Sequence, residues 1–151
     1  MKGTIPAKSI ELSTAAKTYN GAANTWFTRE SVPYNKLGVY LTQHNYSTID
    51  WLNGSRKEGN FIKATGFVGD YDSGARTIQE VHDDLITQGL NHHIIPSKSH
   101  TTEHHKFHVV LPFDHPVYSA GGYKRIAEHI VKNILPGSDP AVTDAARYIY
   151  G

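Results

Sequence analysis

Apolar and polar positions fall into regular patterns mainly after residue 60. The run FIKATGFVGDYD, residues 61–72, predicts a strand. In SGARTIQEVHDDLITQG, Ile78, Val81 and Leu85 share one stripe at helical spacing and Gly89 marks the stop, so a helix is predicted there. NHHIIPSKS and KFHVVLPFD read as two further strands. SAGGYKRIAEHIVKNILPG sets Tyr123, Ile126, Ala127, Ile130, Val131 and Ile134 at helical spacing before Pro136 and Gly137 close the helix. ARYIYG predicts a short last strand.

The order over residues 61–151 is therefore β-α-β-β-α-β. That is an α+β class, an RRM-like or ferredoxin-like core with an antiparallel sheet and two helices on one face. The ends of its first and third strands and the start of its last can meet on the open face. Residues 1–60 form a smaller α/β unit completing a single domain of residues 1–151. Within that unit residues 1–35 predict no element beyond a strand near Trp26 and Phe27. KLGVYLTQ, residues 36–43, predicts a strand, and STIDWLNGS predicts a short helix with Ser47 as N-cap.

Composition narrows the class. The 151 residues are 38% hydrophobic, 19% charged and 11% aromatic, with nine Tyr, as expected of a folding chain rather than a disordered one. A net charge of +1 excludes a protein that coats nucleic acid by overall charge, so any such contact needs a local groove. There is no Cys, which removes disulfides and Cys-type zinc sites and fits a reducing cytosol. No signal-peptide stretch or membrane span of about 18 apolar residues is present, so the expected setting is cytoplasmic, away from membranes. The strand-like RYIYG at the end raises the expectation that the chain is the front piece of a longer polypeptide.

Candidate chemistry begins with GDYD. In a strand Asp70 and Asp72 share one side and Tyr71 takes the other. Two such carboxylates can hold a hard divalent cation; the competing reading is a turn in which Asp72 or Ser73 caps the next helix. GSDPAVTDAARYIYG adds Asp139 and Asp144 near the last strand, where a third carboxylate can face the same space. Singly, each has a plain structural reading: an Asp139-Pro140 turn and an Asp144–Arg147 pair.

Seven of the ten His lie between residues 92 and 115. Without Cys or an H-E-x-x-H pattern, most read as solvated loop residues rather than zinc ligands. His108 stands apart because it opens the apolar run HVVLPF, with Lys106 two residues before it on the same side. Both can donate to phosphate oxygens across from the carboxylates.

Together, GDYD, KFHVVLPFD and DPAVTDAAR resemble the three motifs of the archaeo-eukaryotic primase superfamily, especially phage and plasmid primase-polymerases. Val68, Asp70 and Asp72 match the first motif, His108 the second, and Asp139, Val142 and Arg147 the third. Ser99, His100 and Thr101 match an upstream Ser-His-Thr of phage relatives. Lys106 replaces the small residue of the second motif, and Ser138 stands where the third has a hydrophobic one, which keeps Asp144 as an alternative to Asp139.

The resemblance implies a template-dependent nucleotidyltransferase, a DNA primase or polymerase acting on single-stranded DNA with nucleoside triphosphates. It implies Mg2+ or Mn2+ held by Asp70, Asp72 and Asp139, and the triphosphate held by His108, Lys106, Ser99, His100 and Arg147. Arg29, Lys36, Arg56 and Lys57 become candidate template contacts, and a helicase or downstream C-terminal domain a candidate partner.

Two other readings compete. A replication-initiator nuclease of the HUH type needs His-hydrophobic-His on a strand and a Tyr nucleophile on a helix; here His105 and His108 fall on opposite strand faces, and Tyr123 is the helical candidate. A non-catalytic RRM-like module needs exposed aromatics on central strands, for which Tyr71 and Phe107 are the candidates.

Overall fold

Two long antiparallel strands form the centre of the molecule. The structure, a computed structural model, describes residues 8–17 and 26–150. Expectations placed on residues 1–7, 18–25 and Gly151 lie outside the described residues. The elements are β1 (Ser9–Ala16), β2 (Thr28–Pro33), α1 (Leu37–Gln43), β3 (His44–Ser47), β4 (Ile49–Trp51), β5 (Phe61–Tyr71), α2 (Ile78–Thr87), β6 (His93–Pro96), β7 (Phe107–Val117) and α3 (Ala120–His129). The described residues are thus mixed α/β, with antiparallel sheets and three α-helices. Among the described residues no helix is long and apolar enough to cross a membrane.

One sheet has the order β4-β5-β7-β6 and the other β2-β1-β3. β5 is central, which is why it is buried on both faces from Phe67 to Val68 and again at Tyr71. One face, carrying Phe67, Gly69 and Tyr71, takes α3: the Phe67 and Tyr123 rings lie 6.4 Å apart. The other face takes the smaller sheet, with Thr48 Oγ1 donating to the Gly66 carbonyl and Thr65 Oγ1 to the Glu11 carbonyl. The β5–β7 register slips between Ala64 and Gly66, where the partner is Pro112, a residue with no N–H to give the ladder.

The predicted α2 forms, but later than its first residues. Thr77 caps it by accepting from the Glu80 N–H while Glu80 Oε1 accepts from the Thr77 N–H. Ser73 caps nothing helical; its Oγ accepts only from the Ala75 N–H. α3 runs on into a single π turn, Ile130–Ile134, closed by the Leu135 N–H to the Ile130 carbonyl at 2.7 Å.

Four expectations are corrected. KLGVYLTQ is helical: Leu37 and Leu41 are buried four residues apart while Val39 is 69% exposed, whereas a strand would place all three on one side. Residues 49–51 form a strand, with Ile49 and Trp51 buried around a half-buried Asp50, and Ser47 ends β3 rather than capping a helix. Residues 1–35 contain β1 and β2, and Trp26 makes only an isolated bridge to Ser55. The C-terminal segment does not join the larger sheet. Ile149 forms an isolated bridge with Tyr46, and the place beside β5 belongs to β4. The β-α-β-β-α succession of residues 61–134 stands, and its fourth strand comes from the N-terminal side.

Candidate functional site

Cross-strand pairing sets the site. Asp70 on β5 is the register partner of His108 on β7, so both side chains leave the same face, and His108 Nε2 lies 3.6 Å from Asp70 Oδ1. Tyr71 goes to the opposite face, stacked on Phe107 with centroids 4.9 Å apart, as alternation demands. Its hydroxyl donates to the Pro136 carbonyl at 3.0 Å. This anchors the loop after α3, which turns at Gly137 with φ +89, a conformation open to glycine. The turn brings Asp139 alongside β5, where its N–H donates to the Asp70 carbonyl at 2.8 Å. Ser138 is buried yet satisfied, its Oγ donating to the Leu135 carbonyl at 2.7 Å.

The electrostatics are those of crowded acids. The Asp70 carboxyl is pushed up to about 6, first by burial, then by the charges of Asp72 and Asp139, with Lys106 opposing. Burial pushes His108 down to about 4, outweighing the pull of Asp72, so its imidazole is neutral at pH 7. The Asp70–His108 approach is therefore a carboxylate facing a neutral ring, not an ion pair. The other ring nitrogen, Nδ1, lies 3.1 Å from the Tyr46 hydroxyl, itself fully buried.

Other predicted residues divide. Asp72 is exposed just past the end of β5, and its carbonyl accepts from His104 Nε2–H at 2.9 Å. Asp144 pairs with Arg147 at 3.1 Å and its Oδ1 accepts from the Ala146 N–H, so it is used within its own loop. Asp139 also makes a local bond, Oδ1 accepting from the Ala141 N–H. Only Asp139, of these two, contributes to the charge felt by Asp70. Arg147 donates to the Ala141 carbonyl as well as to Asp144. Ser99 is exposed in the loop before β7. His100 Nδ1 accepts from the Lys106 N–H at 3.1 Å and so fixes the main chain at Lys106.

His105 and His92 of that region bond main-chain groups. His105 Nδ1 accepts from the Ile78 N–H at the start of α2. His92 Nδ1–H donates to the Leu90 carbonyl and its Nε2 accepts from His82 Nδ1–H. Among the described residues no three His, Asp or Glu side chains form a ready-made metal cage. Of the candidate template contacts, Arg29 reaches Ser13 Oγ and Asp50, and Arg56 lies over the Tyr148 ring at 4.8 Å. Lys36 and Lys57 are exposed.

The competing readings lose their residues. Tyr123 is 3% exposed, too buried for a nucleophile. Tyr71 and Phe107 are buried, so neither presents a face on which a base could stack.

A cavity of about 350 Å³ opens beside His108, walled by Leu41, Ile95 and Pro96 and lined also by Lys17 and Lys98. A larger one, about 520 Å³, lies between α1, α2 and β6 and touches none of the carboxylates. Sequence reasoning assigned nothing to Tyr46, Lys17 or Lys98. Lys98 stands in the loop already singled out; Tyr46 had no local signal, lying 62 positions from the residue it touches.

No family model and no curated protein sequence matches this chain. Among solved structures, the chain is similar to the AEP domain of the cyanophage S-2L primase-polymerase, with a TM-score of 0.51 and 13% identity over 95% of this chain and 72% of that one. At that identity the likeness is one of fold: the chain has the fold of a primase-polymerase AEP domain.

Proposed function

We propose that this chain is the catalytic core of a template-dependent nucleotidyltransferase, a primase-polymerase that synthesises or extends primers on single-stranded DNA. The observation that carries the reading is the meeting of three sequence-distant motifs at one place: Asp70 paired with His108 across β5 and β7, and Asp139 bonded to the Asp70 main chain. The likeness to a primase-polymerase AEP domain supports it.

Carboxylate oxygens are the donor type that a hard cation takes. Burial first, and then the charges of Asp72 and Asp139, raise the Asp70 carboxyl, and a divalent ion would relieve the repulsion among the three. In this reading those three residues hold Mg2+ or Mn2+, which supplies charge neutralisation and activation of a primer hydroxyl. His108 and Lys106 donate to the phosphates of the incoming nucleotide, and the Leu41–Ile95–Pro96 cavity receives its uncharged part, with Lys17 and Lys98 adding positive charge. In this reading residues 8–17 and 26–60 belong to the same module, which is supported by the strand they place beside β5 and by the Thr48 bond to the Gly66 carbonyl.

The test is template-directed incorporation on primed single-stranded DNA with Mn2+ and all nucleotides, comparing the chain with Asp70→Asn/Asp72→Asn. Incorporation by the parent and loss in the double variant are expected. Equal activity in both would remove the site assignment.

A further inference from the structure

We propose that Tyr46 is a positioning residue for His108: its hydroxyl donates to Nδ1 and thereby fixes the imidazole as the Nε2–H tautomer, a neutral donor aimed at the carboxylate face. The inference deepens the reading of that face as a nucleotide and cation site and rests on it.

Tyr46 is fully buried, and its main chain is gripped from two sides. Its register partner in β1 is Thr14, and its N–H and carbonyl exchange bonds with Ile149 at 2.9 and 2.7 Å. The phenol therefore has little freedom, and it meets the imidazole edge-on, centroids 6.1 Å apart. Burial and the charge on Asp70 both push its ionisation upward, so the hydroxyl keeps its proton.

For a neutral ring, two proton arrangements satisfy the 3.1 Å contact. If Nδ1 carried the proton, the Nε2 lone pair would face Asp70 Oδ1 at 3.6 Å, which repels an ionised carboxylate. If Tyr46 donates, Nε2 carries the proton and its N–H dipole faces the carboxylate, which attracts. The second arrangement has a chemical consequence. A protonated Nε2 has no lone pair for a metal, so His108 is a phosphate donor and not a metal ligand. As a neutral ring it adds no positive charge beside a divalent cation.

Two measurements test this. The first is a long-range 1H–15N correlation of the imidazoles in the 15N-labelled full chain at neutral pH without metal. The expected result is a His108 proton on Nε2 and a bare Nδ1; a proton on Nδ1 overturns the assignment. It uses the parent, so it decides even if Tyr46 variants fail to fold. The second is incorporation kinetics of Tyr46→Phe, whose His108 signal should shift toward the other tautomer. The nucleotide KM should rise about tenfold, the size of one lost hydrogen bond, with kcat changed less than about twofold. An unchanged KM overturns the positioning role. If the parent incorporates nothing, the functional reading falls while the imidazole signal still decides the Tyr46 assignment.

Discussion

The amide of Asp139 donates to the carbonyl of Asp70 at 2.8 Å, joining two residues 69 positions apart through the main chain rather than through their charges. Their carboxylates are thus held near each other by a bond that does not depend on ionisation. Asp144 has no such tie and spends its carboxylate on Arg147.

This separates the two candidates for the third carboxylate. Asp139→Asn should lower incorporation by more than the roughly 10- to 100-fold typical of a residue that merely supports a ligand. Asp144→Asn should leave the rate within about threefold and cost little stability, since the pair it breaks is largely exposed. Steady-state rates of the two variants decide it.

The raised Asp70 carboxyl sets a pH dependence of stability. The folded state holds this proton up to about pH 6, the unfolded chain only to its ordinary value of 3.8, so stability falls as pH rises through that window. His108 acts oppositely: its folded value of about 4 lies below the ordinary 6.5, so its contribution is complete above 6.5 and is lost as pH falls toward 4. The two slopes offset each other in the parent. Removing the carboxyl exposes one of them. The difference in melting temperature between Asp70→Asn and the parent should grow in favour of the variant from about pH 4 to pH 6 and then level off. A flat difference in thermal melts without metal would contradict it.

Tyr71 should matter twice. Tyr71→Phe removes the bond to the Pro136 carbonyl and should destabilise the fold by about 1 kcal/mol, a melting shift of about 2–4 °C. It should also loosen the loop that carries Asp139 and lower kcat more than it raises KM. Calorimetry and incorporation kinetics on the same preparation separate the two effects.

Lys106 opposes the rise of the Asp70 carboxyl. Lys106→Met should therefore move the Asp70 midpoint further up and weaken nucleotide binding. A carboxyl 13C titration reads the first effect and the nucleotide KM the second; a midpoint that does not move would place the ammonium away from Asp70.

The parts legible in the sequence were those where local pattern and tertiary role agree. β5, α2, β7 and α3 are long and strongly periodic, and the ends of β5 and β7 made Asp70 and His108 visible as partners. α1 was misread because Leu-Gly-Val-Tyr-Leu satisfies both periods over so short a run, and only burial distinguishes them. β1 was missed because part of its buried surface is hydroxyls: Ser13 donates to the Ile49 carbonyl and Thr14 lies against Tyr40, bonds that hydropathy does not register. The Tyr46–His108 contact joins the two sheets, and the cavity beside His108 lies between α1 and β6, contacts that no local spacing encodes.

The placement of β4 beside β5 bears on how this protein can be divided. A fragment beginning at Phe61 contains every motif residue, yet it loses the strand that covers one side of β5. Its free N–H and carbonyl groups around Phe61–Ala64 become a template for edge-to-edge association with another copy. Such a fragment should aggregate, and a separate peptide spanning residues 44–55 should restore its solubility by taking the vacant place.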